Sequence, residues 1–180
     1  MLNVYVLTRQ RTEPVLWAFL AIYGDIAKFD RETERELQIE KSGLGLTKDV
    51  TDSDDYETEP AGDLTGCVHR GLEYPRRAFD LYIPSRQPTI DQVIVGFTRD
   101  DQVVLGFALD DEYDENLLVP LEEKERSVRA LANSLLMELG IAYQAHLGLI
   151  IIDTAPPASE PLFRLKAAQR YALAAVEWRM

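Results

Sequence analysis

Cys67 and His69 stand two residues apart in GCVHRG (66–71), with Arg70 beside them. A thiol next to cationic groups can be held as a thiolate, and a neighbouring imidazole could take its proton, so the chemistry on offer is nucleophilic catalysis. The spacing counts against it. A Cys-x-His pair in an extended segment sends both side chains to one face without orienting the imidazole, and no third, orienting residue can be named. Cys67 is the only cysteine and His146 the only other histidine, so soft metal ligands are few. Arg70, Arg76, Arg77 and Arg86 lie in the same section and could hold an anionic ligand, which would make this a small enzyme or ligand-binding domain.

Carboxylates offer a second chemistry. Asp110, Asp111, Glu112, Asp114 and Glu115 crowd into DDEYDEN (110–116). Read as a calcium loop from Asp110, the first, third and fifth positions are acidic, but the sixth is Glu115 rather than glycine and the twelfth is Leu121. That register fails, leaving a solvated loop or acids that lead towards the positive end of the following helix. The longer run DVTDSDDYETEPAGD (49–63) carries seven carboxylates and no Lys or Arg. Asp52, Asp54, Asp55, Glu57 and Glu59 are its centre, and the run is expected to be a mobile, solvated surface loop.

One local likeness stands apart from these charges. LGLIIIDTAPP (147–157) resembles, over about ten residues, the second conserved motif of the ParA-like P-loop ATPases. There an apolar strand ends in an aspartate that helps hold magnesium. The resemblance would assign that role to Asp153. Nothing in the chain matches G-x-x-x-x-G-K-[ST], and SGLGLTKD (42–49) has the wrong glycine spacing and no Ser or Thr after its lysine. Asp153 is therefore read as a polar strand end or turn residue, and no metal or cofactor is expected.

The whole chain has a formal net charge of −12 over 180 residues, which argues against a phosphate-binding surface. Neither nucleic acid nor an anionic membrane suits such a chain; a basic protein does. Apolar residues at 46% and charged residues at 28% fit one ordinary globular domain, spanning 1–180. The longest nearly uncharged apolar run, Leu147–Ile152, falls far short of the roughly 20 residues a bilayer span requires. A lone cysteine suits a reducing compartment, and MLNVYVLTRQRTE lacks the positive leader and cleavage site of a signal peptide, so a cytoplasmic location is expected.

The elements that must position these residues follow from periodicity. Residues 2–7 and 147–152 read as strands, the latter buried on both faces. Residues 13–26 read as a helix opened by Thr12-Glu13-Pro14, with Gly24 ending or loosening it. LQIEKSGLGLTKDV (37–50) looks like two short strands around Gly43, and AFDLYI (78–83) alternates like another. QVIVGFT (92–98) and QVVLGFAL (102–109) form a hairpin across Arg99-Asp100-Asp101. Leu121, Val128, Leu131, Leu135 and Leu139 fall on one stripe of a helix over 121–139 with Gly140 as its cap. An alanine-rich helix is expected over 161–177.

The strongest elements spell β-α-β-β-α-β. That is the split βαβ, ferredoxin-like order, with a long insertion after the first helix and an extra helix at the C-terminus. The expected class is α+β, a mixed and mainly antiparallel sheet with helices on one face. Within it Trp17 lies off the apolar stripe of its helix, serving either as an interface anchor or as packing under the 28–90 insertion.

The functional expectation is a non-enzymatic acidic binding protein that recognises a basic protein partner. An immunity or inhibitor protein neutralising a nuclease-like toxin fits that description, because a carboxylate-rich face steers onto a cationic groove. The alternative is the Cys67/His69 section with Arg70, Arg76 and Arg77. Partner contacts are assigned to Asp52, Asp54, Asp55, Glu57, Glu59, to Asp110, Asp111, Glu112, Asp114, Glu115, and to Trp17.

Overall fold

Every residue of Leu2–Thr8 (β1) is buried, which places this strand in the middle of a sheet covered on both faces. The computed structural model of the protein describes residues 1–31, 35–109 and 121–179. β1 pairs antiparallel with Val103–Leu109 (β6) on one side and Leu147–Ile152 (β7) on the other. Ile90–Phe97 (β5) continues the sheet beyond β6 through the expected hairpin. With Glu13–Tyr23 (α1) and Leu121–Ala142 (α4), these strands give the sequence order β-α-β-β-α-β and the spatial order β5-β6-β1-β7. That is the split βαβ arrangement.

The long insertion contains Ile26–Asp30 (α2), Glu36–Glu40 (β2), Tyr56–Pro60 (β3), Leu64–Glu73 (α3) and Phe79–Pro84 (β4). β4 pairs with β5 and extends the sheet, while β2 and β3 form a separate two-stranded ribbon. A backbone hydrogen bond from the Glu40 N–H to the Ala78 carbonyl at 2.9 Å ties the ribbon beside β4. Glu160–Ala167 (α5) and Ala172–Glu177 (β8) complete the chain, with β8 pairing to the outer edge of β7.

α1 and α4 share one face, as their stripes require. Leu16, Phe19, Leu20 and Tyr23 of α1 meet Ala132, Leu135, Leu136 and Leu139 of α4 and the inward side chains of the sheet in one continuous core. Phe19 anchors the junction, its ring 5.6 Å from both Phe107 and Tyr143. Each such fully buried side chain contributes about 1.5–3 kcal/mol relative to exposure. Gly24 ends α1, since its extended backbone leaves the helix and α2 follows as a separate turn.

The other face carries Tyr5, Leu7, Ile94, Val104, Leu149 and Ile151, covered by Phe163 of α5. The helices are therefore not all on one side, because a central sheet buried on both faces needs cover for the second.

Four local expectations change. The 161–177 helix is the short α5 followed by strand β8, whose residues alternate between half-buried and exposed. Alanine's helix propensity is only a few tenths of a kcal/mol per residue, and the open edge of β7 outweighs it. Gly140 does not cap α4, which runs on to Ala142. Its bare Cα is instead the seat of the Trp178 ring, where a Cβ would come within 2.3 Å of the indole. Of the two strands expected around Gly43 only β2 forms, and its partner is β3 from within the acidic run. The GCVHRG section is helix α3, N-capped by Asp63, whose Oδ1 accepts from the Gly66 N–H at 2.8 Å.

Among the described residues no helix is long and apolar enough to cross a membrane.

Candidate functional site

β2 and β4 alternate in register with their burial. Leu37 and Ile39 of β2 enter the main core, so Glu36, Gln38 and Glu40 point the other way. In β4, Phe79, Leu81 and Ile83 are buried in the same core, leaving Asp80 and Tyr82 on the opposite side. The two polar faces look into one cavity of about 320 Å³, closed by Asp49, Val50, Tyr56, the 155–158 loop and Lys166 of α5. That loop is fixed from below. Tyr5 Oη donates to the Thr154 carbonyl at 2.7 Å, and Asn3 Nδ2 donates to the same oxygen at 3.0 Å.

Asp80 is half-buried on β4 and lines the cavity. It pairs across the ladder with Gly96, and a Cβ on Gly96 would come within 2.8 Å of Asp80 Oδ1. A glycine at this position lets the carboxylate lie flat on the sheet. Burial pushes the Asp80 carboxyl up to about 8, Glu40 nearby adds to the rise, and Lys166 opposes it. Glu40 is raised to about 7, again chiefly by burial, although the Arg99 guanidinium pulls the other way. Tyr82 is raised by burial and by Asp80. Two carboxyls raised by burial on the walls of one cavity make it the candidate functional site.

Arg99 and Lys166 frame the pocket. Arg99 Nε lies 3.0 Å from Glu40 Oε2, and the same guanidinium donates to the Gly45 and Lys48 carbonyls at 2.7 and 2.8 Å. Lys166 Nζ donates to the Ala155 carbonyl at 3.3 Å and stands 3.9 Å from Asp49 Oδ1. Both cations are held by the protein's own acceptors.

The acids and arginines singled out from the sequence meet each other. Glu57 lies 3.6 Å from Arg77, while Glu59 lies 3.4 Å from Arg77 and 3.3 Å from Arg70. Asp55 pairs with Lys48 at 2.9 Å. Asp52 and Asp54 remain exposed on the turn of 3-10 helix at Ser53–Asp55, where the Asp52 side chain accepts from the Asp54 N–H. This turn joins two residues of the cavity wall, Val50 and Tyr56. Asp110, Asp111, Glu112, Asp114 and Glu115 lie outside the described residues.

Cys67 and His69 are separated by the helix that carries them. Cys67 is fully buried, with its Sγ donating to the Ala61 carbonyl at 3.2 Å, and burial raises its thiol. His69 is exposed and faces a groove shared with Trp17, Asp63 and Leu72. Two residues along a helix is about 200° of rotation, so the pair cannot act together. His146 is engaged elsewhere, its Nε2 3.3 Å from Glu160 Oε2. Trp17 is half-buried against the main core and α3, so it packs under the insertion. Arg76 is exposed, and Arg86 donates to the Ala21 carbonyl at 3.3 Å. Asp153 directly follows β7 with φ of 44°, a turn residue.

Sequence reasoning missed Glu40, Asp80, Tyr82 and Lys166. The signal for Asp80 and Tyr82 was present in the alternation of AFDLYI, whose polar members define a second face. Nothing local linked that face to Glu40 or Lys166. Among the described residues no group of three or more His, Cys, Asp or Glu is placed to hold a metal ion. No protein-family model matches the chain, and neither a curated protein nor a solved structure matches it.

Proposed function

We propose that the protein is a non-catalytic binding protein that recognises a basic protein partner, in the manner of an immunity or inhibitor protein set against a cationic, nuclease-like toxin. The observation that carries this reading is the carboxylate excess of the cavity and its rim. Glu36, Glu40, Asp49 and Asp80 line it against the single lysine Lys166, and exposed Asp52 and Asp54 sit on the turn beside it. Glu57 and Glu59 contribute less to an outside partner, because Arg70 and Arg77 already neutralise them. The net charge of −12 supplies long-range attraction to a cationic surface.

The test is association kinetics against a panel of purified basic proteins, nucleases among them, with acidic proteins as controls. Exposed charges are screened over about 8 Å at physiological salt, so the on-rate should fall as salt rises. Asp52→Asn with Asp54→Asn, and a set neutralising Asp110, Asp111, Glu112, Asp114 and Glu115, should slow association and leave dissociation nearly unchanged. Binding that ignores salt and both sets of substitutions would refute the reading.

A further inference from the structure

We propose that the cavity between the β2–β3 ribbon and β4 receives one organic cation, the ammonium or guanidinium end of a lysine or arginine side chain, held between the carboxylates of Asp80 and Glu40 and the rings of Tyr56 and Tyr82. The source of that side chain rests on the basic partner inferred above; the cation site itself does not.

Three observations converge on a cation. The first is an imbalance of partners. Lys166 and Arg99, the cations nearest these acids, are each engaged by backbone carbonyls as well as by an acid. Neither hydrogen-bonds Asp80, and among the described residues no hydrogen bond to its carboxylate is seen. The second is Glu40, whose side chain is only 9% exposed. Its Oε2 is wholly buried and accepts no hydrogen bond, although Arg99 lies within ion-pair distance. A buried carboxylate oxygen left without a donor is costly, and a ligand N–H would satisfy it. The third is the wall. Tyr56 and Tyr82 line the same cavity, and aromatic faces favour a cation over an anion or a neutral group. The volume of about 320 Å³ suits a small ligand or one long side chain.

An ionic ligand must change the protonation of the groups around it. Asp80 is faced by Glu40 from β2, Tyr56 from β3, Tyr82 from β4, Tyr5 from β1 and Lys166 from α5, with Asp49 on the adjoining loop. With the cavity empty, the Asp80 and Glu40 carboxyls keep protons up to about pH 8 and 7, because burial disfavours their charge. An incoming cation stabilises the carboxylates and expels those protons. An anion would do the reverse and take protons up. Affinity for a cation should thus rise with pH, by about tenfold per pH unit for each proton released.

The experiment is calorimetric titration of the full chain with n-butylammonium and n-butylguanidinium, beside butyrate and butanol, from pH 6 to 9. Two buffers of different ionisation heat count the protons exchanged. The expected result is that both cations bind at millimolar concentration or better, release protons and tighten as pH rises, while butyrate and butanol do not bind. Asp80→Asn, checked for a cooperative melt, should weaken cation binding at least tenfold, and Asp91→Asn, at an exposed carboxylate of β5 outside the cavity lining, should leave it unchanged. No cation binding, preferential binding of butyrate, proton uptake, or full affinity in Asp80→Asn would each overturn the proposal. The two readings fail separately. Capture of basic proteins that survives Asp80→Asn while the small cations do not bind removes only the pocket; small-cation binding without any basic partner removes only the partner.

Discussion

Glu40 and Arg99, fifty-nine positions apart in sequence, meet at 3.0 Å with side chains 9% and 5% exposed. Their pair joins the β2–β3 ribbon to the turn of the central hairpin, and the same guanidinium closes the 45–48 segment through two carbonyls. Arg99→Met should leave a buried carboxyl group without its counter-ion and two backbone carbonyls without a donor. The expected loss is about 3–5 kcal/mol, the range for breaking one side of a buried pair. Glu40→Gln combined with Arg99→Met should recover part of it. Denaturant melts of the three variants check the point, and an additive double variant would contradict the coupling.

Asp80 sets a pH dependence with a definite sign. Its folded value, about 8, lies above the ordinary carboxylate value, so between about pH 4 and 8 the folded chain holds a proton that the unfolded chain has lost. That contribution is full below the ordinary value and disappears as pH rises through about 8. The wild type should lose stability across this window, with Glu40 acting in the same direction up to about 7. Asp80→Asn should flatten the profile and be more stable than wild type at pH 9 by about 1–3 kcal/mol, well under the full conversion because the site opens to solvent. Melting temperatures at pH 5, 7 and 9 decide it; parallel profiles would exclude a neutral Asp80.

Trp178 closes the far edge of the sheet over two glycines. A Cβ on Gly148 would come within 2.5 Å of the indole and 2.8 Å of Leu136 Cδ1, so Gly148→Ala overfills the contact. The cost should be about 1–3 kcal/mol. Trp178→Ala should cost about 2–4 kcal/mol, at the lower end for large aromatic deletions because the ring is only half-buried. In the Trp178→Ala background the Gly148→Ala penalty should shrink markedly, and thermal melts of the cycle measure that coupling.

Cys67 should behave as a small core residue. It is fully buried, its Sγ–H is spent on Ala61, and its thiol is raised by burial. An aromatic disulfide reagent should label it only as fast as the protein opens, and Cys67→Ala should cost about 1 kcal/mol or slightly more. Rapid labelling of the folded chain would show a thiol more accessible than this packing permits.

The βαββαβ core was legible in the sequence because its signals are local. Two matching apolar runs across a short polar turn mark β5 and β6, a 3.6-residue stripe marks Leu135 and Leu139, and unbroken apolarity marks β7. Those patterns follow from which side of a strand or helix a residue occupies, and they hold wherever the element is placed. The net charge and the solitary Cys67 were equally readable. Tertiary structure decided the rest. Ala172–Glu177 is a strand because β7 presents a free edge there, a fact no window of that segment contains. Glu57 and Glu59 are neutralised because the crossover from β3 through α3 to β4 brings Arg70 and Arg77 back against them. Glu40, Asp80 and Lys166 form one site only because a ribbon, a sheet edge and a helix separated by up to 126 positions converge on a single cavity. Charges interact through space at a few ångströms, and only the folded path of the chain fixes which of them come that close.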